Sequence, residues 1–124
     1  MRKADTEDMA LVKEYLELPV LLDVLELNIK KMKEADFKLR HIFELQLKSI
    51  QDEIIKQQRS VRQRMRQKGI KIIDEKRTPH SLDAEFLCRG YVDSISMLWG
   101  KVKADTEIML IDHLGVDIKR IERD

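Results

Sequence analysis

The chain has 124 residues, of which 38% are charged and only 5% aromatic, with 43% hydrophobic and a net charge of +1. That length suits one domain with a modest core, and the apolar fraction is too high for a disordered chain. Few aromatics and many charges favour a helical bundle over a sandwich or a nucleotide-binding α/β fold.

The lone Cys88 allows no internal disulfide, which points to a reducing compartment. No run of apolar residues is long enough to cross a membrane, and the first residues lack the apolar core of a signal peptide. A cytoplasmic protein is the expectation.

Thr6 or Asp5 opens a short helix through Met9, Leu11, Val12, Tyr15, Leu16 and Leu18, with acids in its first turn where the helix dipole favours them. Pro19 marks its end, because the residue before a proline is biased away from helical angles. The short helix therefore spans 1–18.

The next fifty residues, Pro19 to Lys68, contain no glycine and no second proline. Leu22, Leu25, Ile29, Met32, Leu39, Phe43, Leu47, Ile50, Ile54, Val61 and Met65 recur three, four or seven apart, the seam spacing of a helix. Asp36 interrupts the seam, and the step from Phe43 to Leu47 inserts a stutter. Two solutions fit: one helix about 70 Å long at 1.5 Å per residue, or two halves folded back as a hairpin after a break at Ala35, with Asp36 as N-cap. The absence of a capping Glu or Gln and of any glycine for a sharp reversal favours one continuous helix over 19–68, gently kinked near 36. Gly69 then stops it behind a basic last turn.

Ile70 to Arg77 reads as a strand, with Ala84 to Gly90 as its partner and Thr78-Pro79-His80-Ser81 as the turn, giving a two-stranded hairpin over 70–90. A competing reading starts the last helix at Ser81 and leaves Ile70 to Asp74 isolated. From 91 to 114, Ile95, Leu98, Trp99, Val102, Met109, Ile111 and Leu114 return at helical spacing, with Gly100 inside and Gly115 as the stop. Residues 115–124 form a charged tail that adds one more turn or frays. The fold class is thus mainly α: an elongated helical bundle, coiled-coil-like, around one very long central helix, with a small two-stranded β-hairpin before a long C-terminal helix.

Gly69-Ile70-Lys71-Ile72-Ile73 with Glu75 and Arg77, then Leu87-Cys88-Arg89-Gly90-Tyr91 and Met97-Leu98-Trp99, resembles small uncharacterised proteins of Bacillus-type bacteria and their prophages. The resemblance covers the second half of the chain. It implies a bacterial or mobile-element setting and carries no activity onto these residues.

Candidate chemistry is sparse. His41, His80, His113 and Cys88 are the softer metal ligands, and no two lie at the short spacing of a zinc site, so neither a metal nor another cofactor is expected. Cys88 lacks an evident base to activate it, the four glycines are dispersed and form no phosphate loop, and adjacent acids such as Asp52-Glu53 and Asp74-Glu75 diverge. The expectation is a protein that is not an enzyme.

Charge is unevenly spread. Residues 1–27, 28–55, 56–77 and 78–124 carry −4, +1, +7 and −3. Arg59, Arg62 and Arg66 share a helix face, Lys56, Arg64 and Lys68 flank it, and Lys71, Lys76, Arg77 and Arg89 could extend the patch. Arginine forks suit phosphate. A solvated or partner-pairing face explains the same run: in an antiparallel homodimer the basic end would meet Glu7, Asp8, Glu14 and Glu17 of the other copy. The functional expectation is a non-catalytic small bacterial interaction or regulatory protein acting as a helical oligomer, with a homodimer and a protein partner ahead of nucleic acid. The alternative is an accessory nucleic-acid-binding protein using the basic end of the helix; no apolar face there suits a membrane.

Overall fold

In the computed structural model, which describes residues 4–119, two long helices fold back on each other and carry a three-stranded sheet and a third helix. The order is α1 (Thr6–Glu34), α2 (Arg40–Gln67), β1 (Ile70–Arg77), β2 (Ser81–Cys88), β3 (Tyr91–Leu98) and α3 (Trp99–Leu114). The sheet is an antiparallel meander, β1-β2-β3. This corrects the expectation of a bundle around one very long central helix with a two-stranded hairpin. The last residues of the tail, 120–124, lie outside the described residues.

The first correction is at Pro19, which lies inside α1 and does not end a helix. An interior proline forfeits a backbone hydrogen bond and crowds the preceding turn, at a cost of roughly 3 kcal/mol. Burial on both sides of it outweighs that cost: Leu11, Val12, Leu16, Leu18, Leu21, Leu25 and Ile29 are all in the core. The helix starts with a reciprocal capping box, Asp8 N–H to Asp5 Oδ1 at 2.8 Å and Asp5 N–H to Asp8 Oδ2 at 3.0 Å.

The second correction is between 35 and 39, where the supposed continuous helix breaks. Ala35 is extended (φ −90°, ψ 144°), and Leu39 takes the left-handed conformation (φ 60°, ψ 24°) as the N-cap of α2. The reversal uses neither a glycine nor Asp36 as its cap. Arg40 Nη1 closes it, donating to the carbonyl oxygens of Lys33 (3.1 Å) and Ala35 (3.0 Å) that α1 leaves without helical partners. Folding back lets Leu25 and Ile29 meet Leu47, Ile50 and Ile54 within one chain, burying a stripe that a continuous rod would have exposed.

The third correction concerns the segment from 91 to 98, read as helix and found as β3. Arg89 and Gly90 both have positive φ (50° and 88°), the signature of a two-residue hairpin turn whose twist matches the strands it joins. β2 is the central strand, and its Leu82, Ala84, Phe86 and Cys88 alternate into the core. A bulge between Ile72 and Asp74 disturbs the β1–β2 register and leaves Ile73 exposed. The start of α3 is pinned to the β1–β2 turn by Trp99, whose Nε1 donates to the Thr78 carbonyl at 2.7 Å.

Candidate interaction surfaces

Of the basic residues picked out in the sequence, the structure neutralises several within the chain. Antiparallel pairing of α1 and α2 brings the basic end of α2 against the acidic start of α1. Lys68 Nζ lies 2.7 Å from Glu7 Oε2 and 3.8 Å from Asp8 Oδ1, Arg64 lies 3.7 Å from Glu14, and Arg77 of β1 reaches Asp23 at 3.1 Å. The acids expected to greet a second copy are therefore met by their own chain. Glu17, the fourth of them, turns instead toward Asp105 of α3.

Asp8 is the centre of this contact and is fully buried. Arg89 Nη2 and Nη1 donate to its two carboxylate oxygens at 2.6 and 3.3 Å, Cys88 Sγ lies 3.5 Å away, and Arg89 Nη1 also donates to the Lys68 carbonyl at 2.8 Å. One guanidinium thus joins the start of α1, the end of α2 and the β2–β3 turn. The Arg89 hydrogen bonds hold the Asp8 carboxyl well below the usual carboxylate range, against the opposing effect of burial. Burial, reinforced by the Asp8 charge, pushes the Cys88 thiol up, away from the reactive thiolate.

Lys56, Arg59, Arg62, Arg66, Lys71 and Lys76 remain exposed. Arg59, Arg62 and Arg66 keep the three- and four-residue spacing that puts them along one side of α2. They form a basic stripe, smaller than the sequence suggested.

The histidines stay apart. His41 is exposed near the start of α2, His80 sits in the β1–β2 turn, and His113 Nδ1 lies 2.9 Å from Glu53 Oε2. Among the described residues no three His, Cys, Asp or Glu side chains converge in a way that could hold a metal ion. Among the described residues no helix is long and apolar enough to cross a membrane.

A second surface is not legible in the sequence, where the helical spacing singles out only two of its apolar residues, Leu39 and Phe43, and takes both for seam. The 29 residues of α1 span about 43 Å at 1.5 Å per residue. The eight-residue strands and the 16-residue α3 span only about 26 and 24 Å. They bind α1 through Asp8, Lys13 and Asp23, and α3 reaches α2 at Glu53. The distal end of the α1–α2 hairpin exceeds that cover. Val24, Leu27, Phe37, Leu39, Ile42, Phe43 and Leu45 there are 41 to 68% exposed, with the Phe37 and Phe43 rings 6.0 Å apart at the tip.

The family model described as YhjD protein matches residues 3–118, nearly the whole of the chain just described. The chain belongs to the YhjD family. No curated protein and no solved structure matches it. The matched span takes in both the Asp8–Arg89 contact and the apolar end of the helical hairpin, so both lie within the YhjD family region.

Proposed function

We propose that this is a non-catalytic bacterial interaction or regulatory protein of the cytoplasm that acts as a homodimer, joined through the distal end of its α1–α2 hairpin. The supporting observation is the exposed apolar set there. The exposed areas of these seven large side chains sum to roughly 600 Å² around that end, somewhat below the ~800 Å² per partner of a standard interface.

The surrounding charge suits a second copy. Residues 24–48 carry six basic and four acidic side chains interspersed. A mixed surface can meet its own image across a two-fold axis, whereas a single-sign surface would repel it. Two helical hairpins meeting this way form a four-helix arrangement with Ile42 and Leu45, three apart on α2, at its centre. Light scattering over a wide concentration range tests it: a dimer is expected, and Ile42→Glu with Leu45→Glu should give a folded monomer. A wild-type protein that stays monomeric throughout would reject the reading.

The exposed stripe of Arg59, Arg62 and Arg66 favours a second reading, contact with nucleic-acid phosphates. Fluorescence anisotropy of labelled oligonucleotides over a salt series tests it. Binding that falls steeply with salt and is weakened when all three become Gln supports it, and no binding at low salt removes it.

A further inference from the structure

The α1–α3 seam contains two carboxyl groups that face each other without a donor between them. Glu17 is only 2% exposed, and its Oε2 has no hydrogen-bond partner; across the seam, Asp105 Oδ2 is buried and likewise has none. Lys101 Nζ engages the other Asp105 oxygen, Oδ1, at 2.9 Å. Lys13 Nζ stands 3.7 Å from Oδ2, beyond hydrogen-bond reach. A buried acceptor with nothing to accept from is destabilising, and two charged acceptors facing one another are more so. Both orphans are satisfied at once if one of them carries a proton.

We propose that α3 is held on α1 by a single proton shared between Glu17 and Asp105, so that α3 loosens from the body as the medium turns alkaline. The proton resides on Glu17, the more deeply enclosed of the two. Among the described residues the charges around the pair are few: Lys13 and, on the wall of the same cleft, Glu14 from α1, and Lys101 from α3. Arg64, the α2 cation on this side, is occupied by Glu14, whose other partner is Gln57. The sheet lies along a different side of α1, where its charges meet Asp8, Tyr15 and Asp23.

The electrostatics agree with this placement. Burial, then the hydrogen bond and negative charge of Asp105, push the Glu17 carboxyl up to about 8. Burial also acts to raise Asp105, but the protonated Glu17 and the Lys101 ammonium outweigh it and hold that carboxyl below its usual value. Once α3 lifts away, Glu17 returns to the ordinary carboxylate range near 4.5. The docked form therefore binds one more proton than the open form between about 4.5 and about 8. Docking is strongest below that window and weakens through it as pH rises.

Hydrogen exchange of the α3 amides tests the idea, measured at pH 6 and pH 9 and corrected for the intrinsic pH dependence of exchange. The opening equilibrium of Val102 to Ile111 should rise by up to about 100-fold between the two, since each unit of pKa difference carries a factor of ten. Glu17→Gln should abolish that rise while α3 stays docked, because an amide donates to Asp105 at every pH. A wild-type rise below about threefold, or the same rise in Glu17→Gln, overturns the proposal. Should that variant not fold, the carboxyl ¹³C shift of Glu17 in the wild-type protein decides: an inflection near 8 supports it, and one near 4.5 overturns it.

Discussion

Arg89 and Asp8, eighty-one positions apart, form a two-pronged ion pair at 2.6 and 3.3 Å that joins the turn of a β-hairpin to the first turn of α1. Asp8 is the buried member, while the Arg89 side chain is about half exposed. Breaking such a pair leaves the survivor without its partner, and it is the carboxylate that cannot be rehydrated in place.

Arg89→Ala should therefore destabilise the fold by ~2 kcal/mol, less than a fully buried pair would cost because solvent already screens the guanidinium. Urea unfolding monitored by circular dichroism measures it. The loss includes the bond from Arg89 to the Lys68 carbonyl, so Arg89→Lys should recover only part of it.

The same pair sets an acid limit. The native Asp8 carboxyl lies below its ordinary value of 3.8, so its contribution is present above that value and is lost as pH falls below it. Wild-type stability should drop below about pH 4. Asp8→Asn, already lacking the charge, should show a shallower acid limb from a lower starting stability.

Leu39 holds the helical hairpin's reversal in a left-handed conformation that costs a leucine roughly 1–2 kcal/mol. Leu39→Gly relieves the strain but loosens the unfolded chain, so the net gain should be about 0.5–1 kcal/mol, read by denaturation at concentrations where the protein is monomeric. Leu39→Val should lose at least as much, since a β-branched residue resists that conformation most.

Pro19→Ala should stabilise α1 by about 1–2 kcal/mol, restoring a backbone donor in the helix interior while giving back some packing of the ring. Thermal unfolding measures it. An unchanged midpoint would mean that the ring's contacts already offset the missing hydrogen bond.

Cys88 should resist thiol reagents in the native protein, being fully buried beside the Asp8 carboxylate with its thiol pushed up. Rapid labelling at neutral pH without denaturant would contradict this; labelling that begins only with unfolding would match it.

Local signals in the sequence were strong where one residue type serves one backbone need. Gly69 and Gly115 both take positive φ just beyond helices. Ile70 to Arg77, isoleucine-rich at its start and lying between Gly69 and Pro79, is β1. The acidic start and the basic tract were equally visible as a pair, though their meeting was assigned to two copies and not one.

The misreadings share a cause. Pro19, the reversal before Leu39 and the 91–98 strand are places where the local preference and the packed chain disagree. Ile95, Leu98, Trp99 and Val102 keep helical spacing by coincidence across the joint between β3 and α3. The turn that makes β3 a strand depends on Arg89 holding positive φ while its side chain grips Asp8. No window of sequence around either residue contains the other.

By itself, then, the sequence determined that the chain would be mostly helical, with an acidic start, a basic middle and strand-forming residues after Gly69, because periodicity and composition act over a few residues. Only the tertiary structure decided where the helices end, that the sheet has three strands, and which acids the basic residues meet. Those outcomes turn on burial and on charges brought together from positions 8, 17, 89 and 105. Such contacts contribute only when the whole chain has closed, and they then outweigh a proline in a helix and a leucine in a left-handed turn.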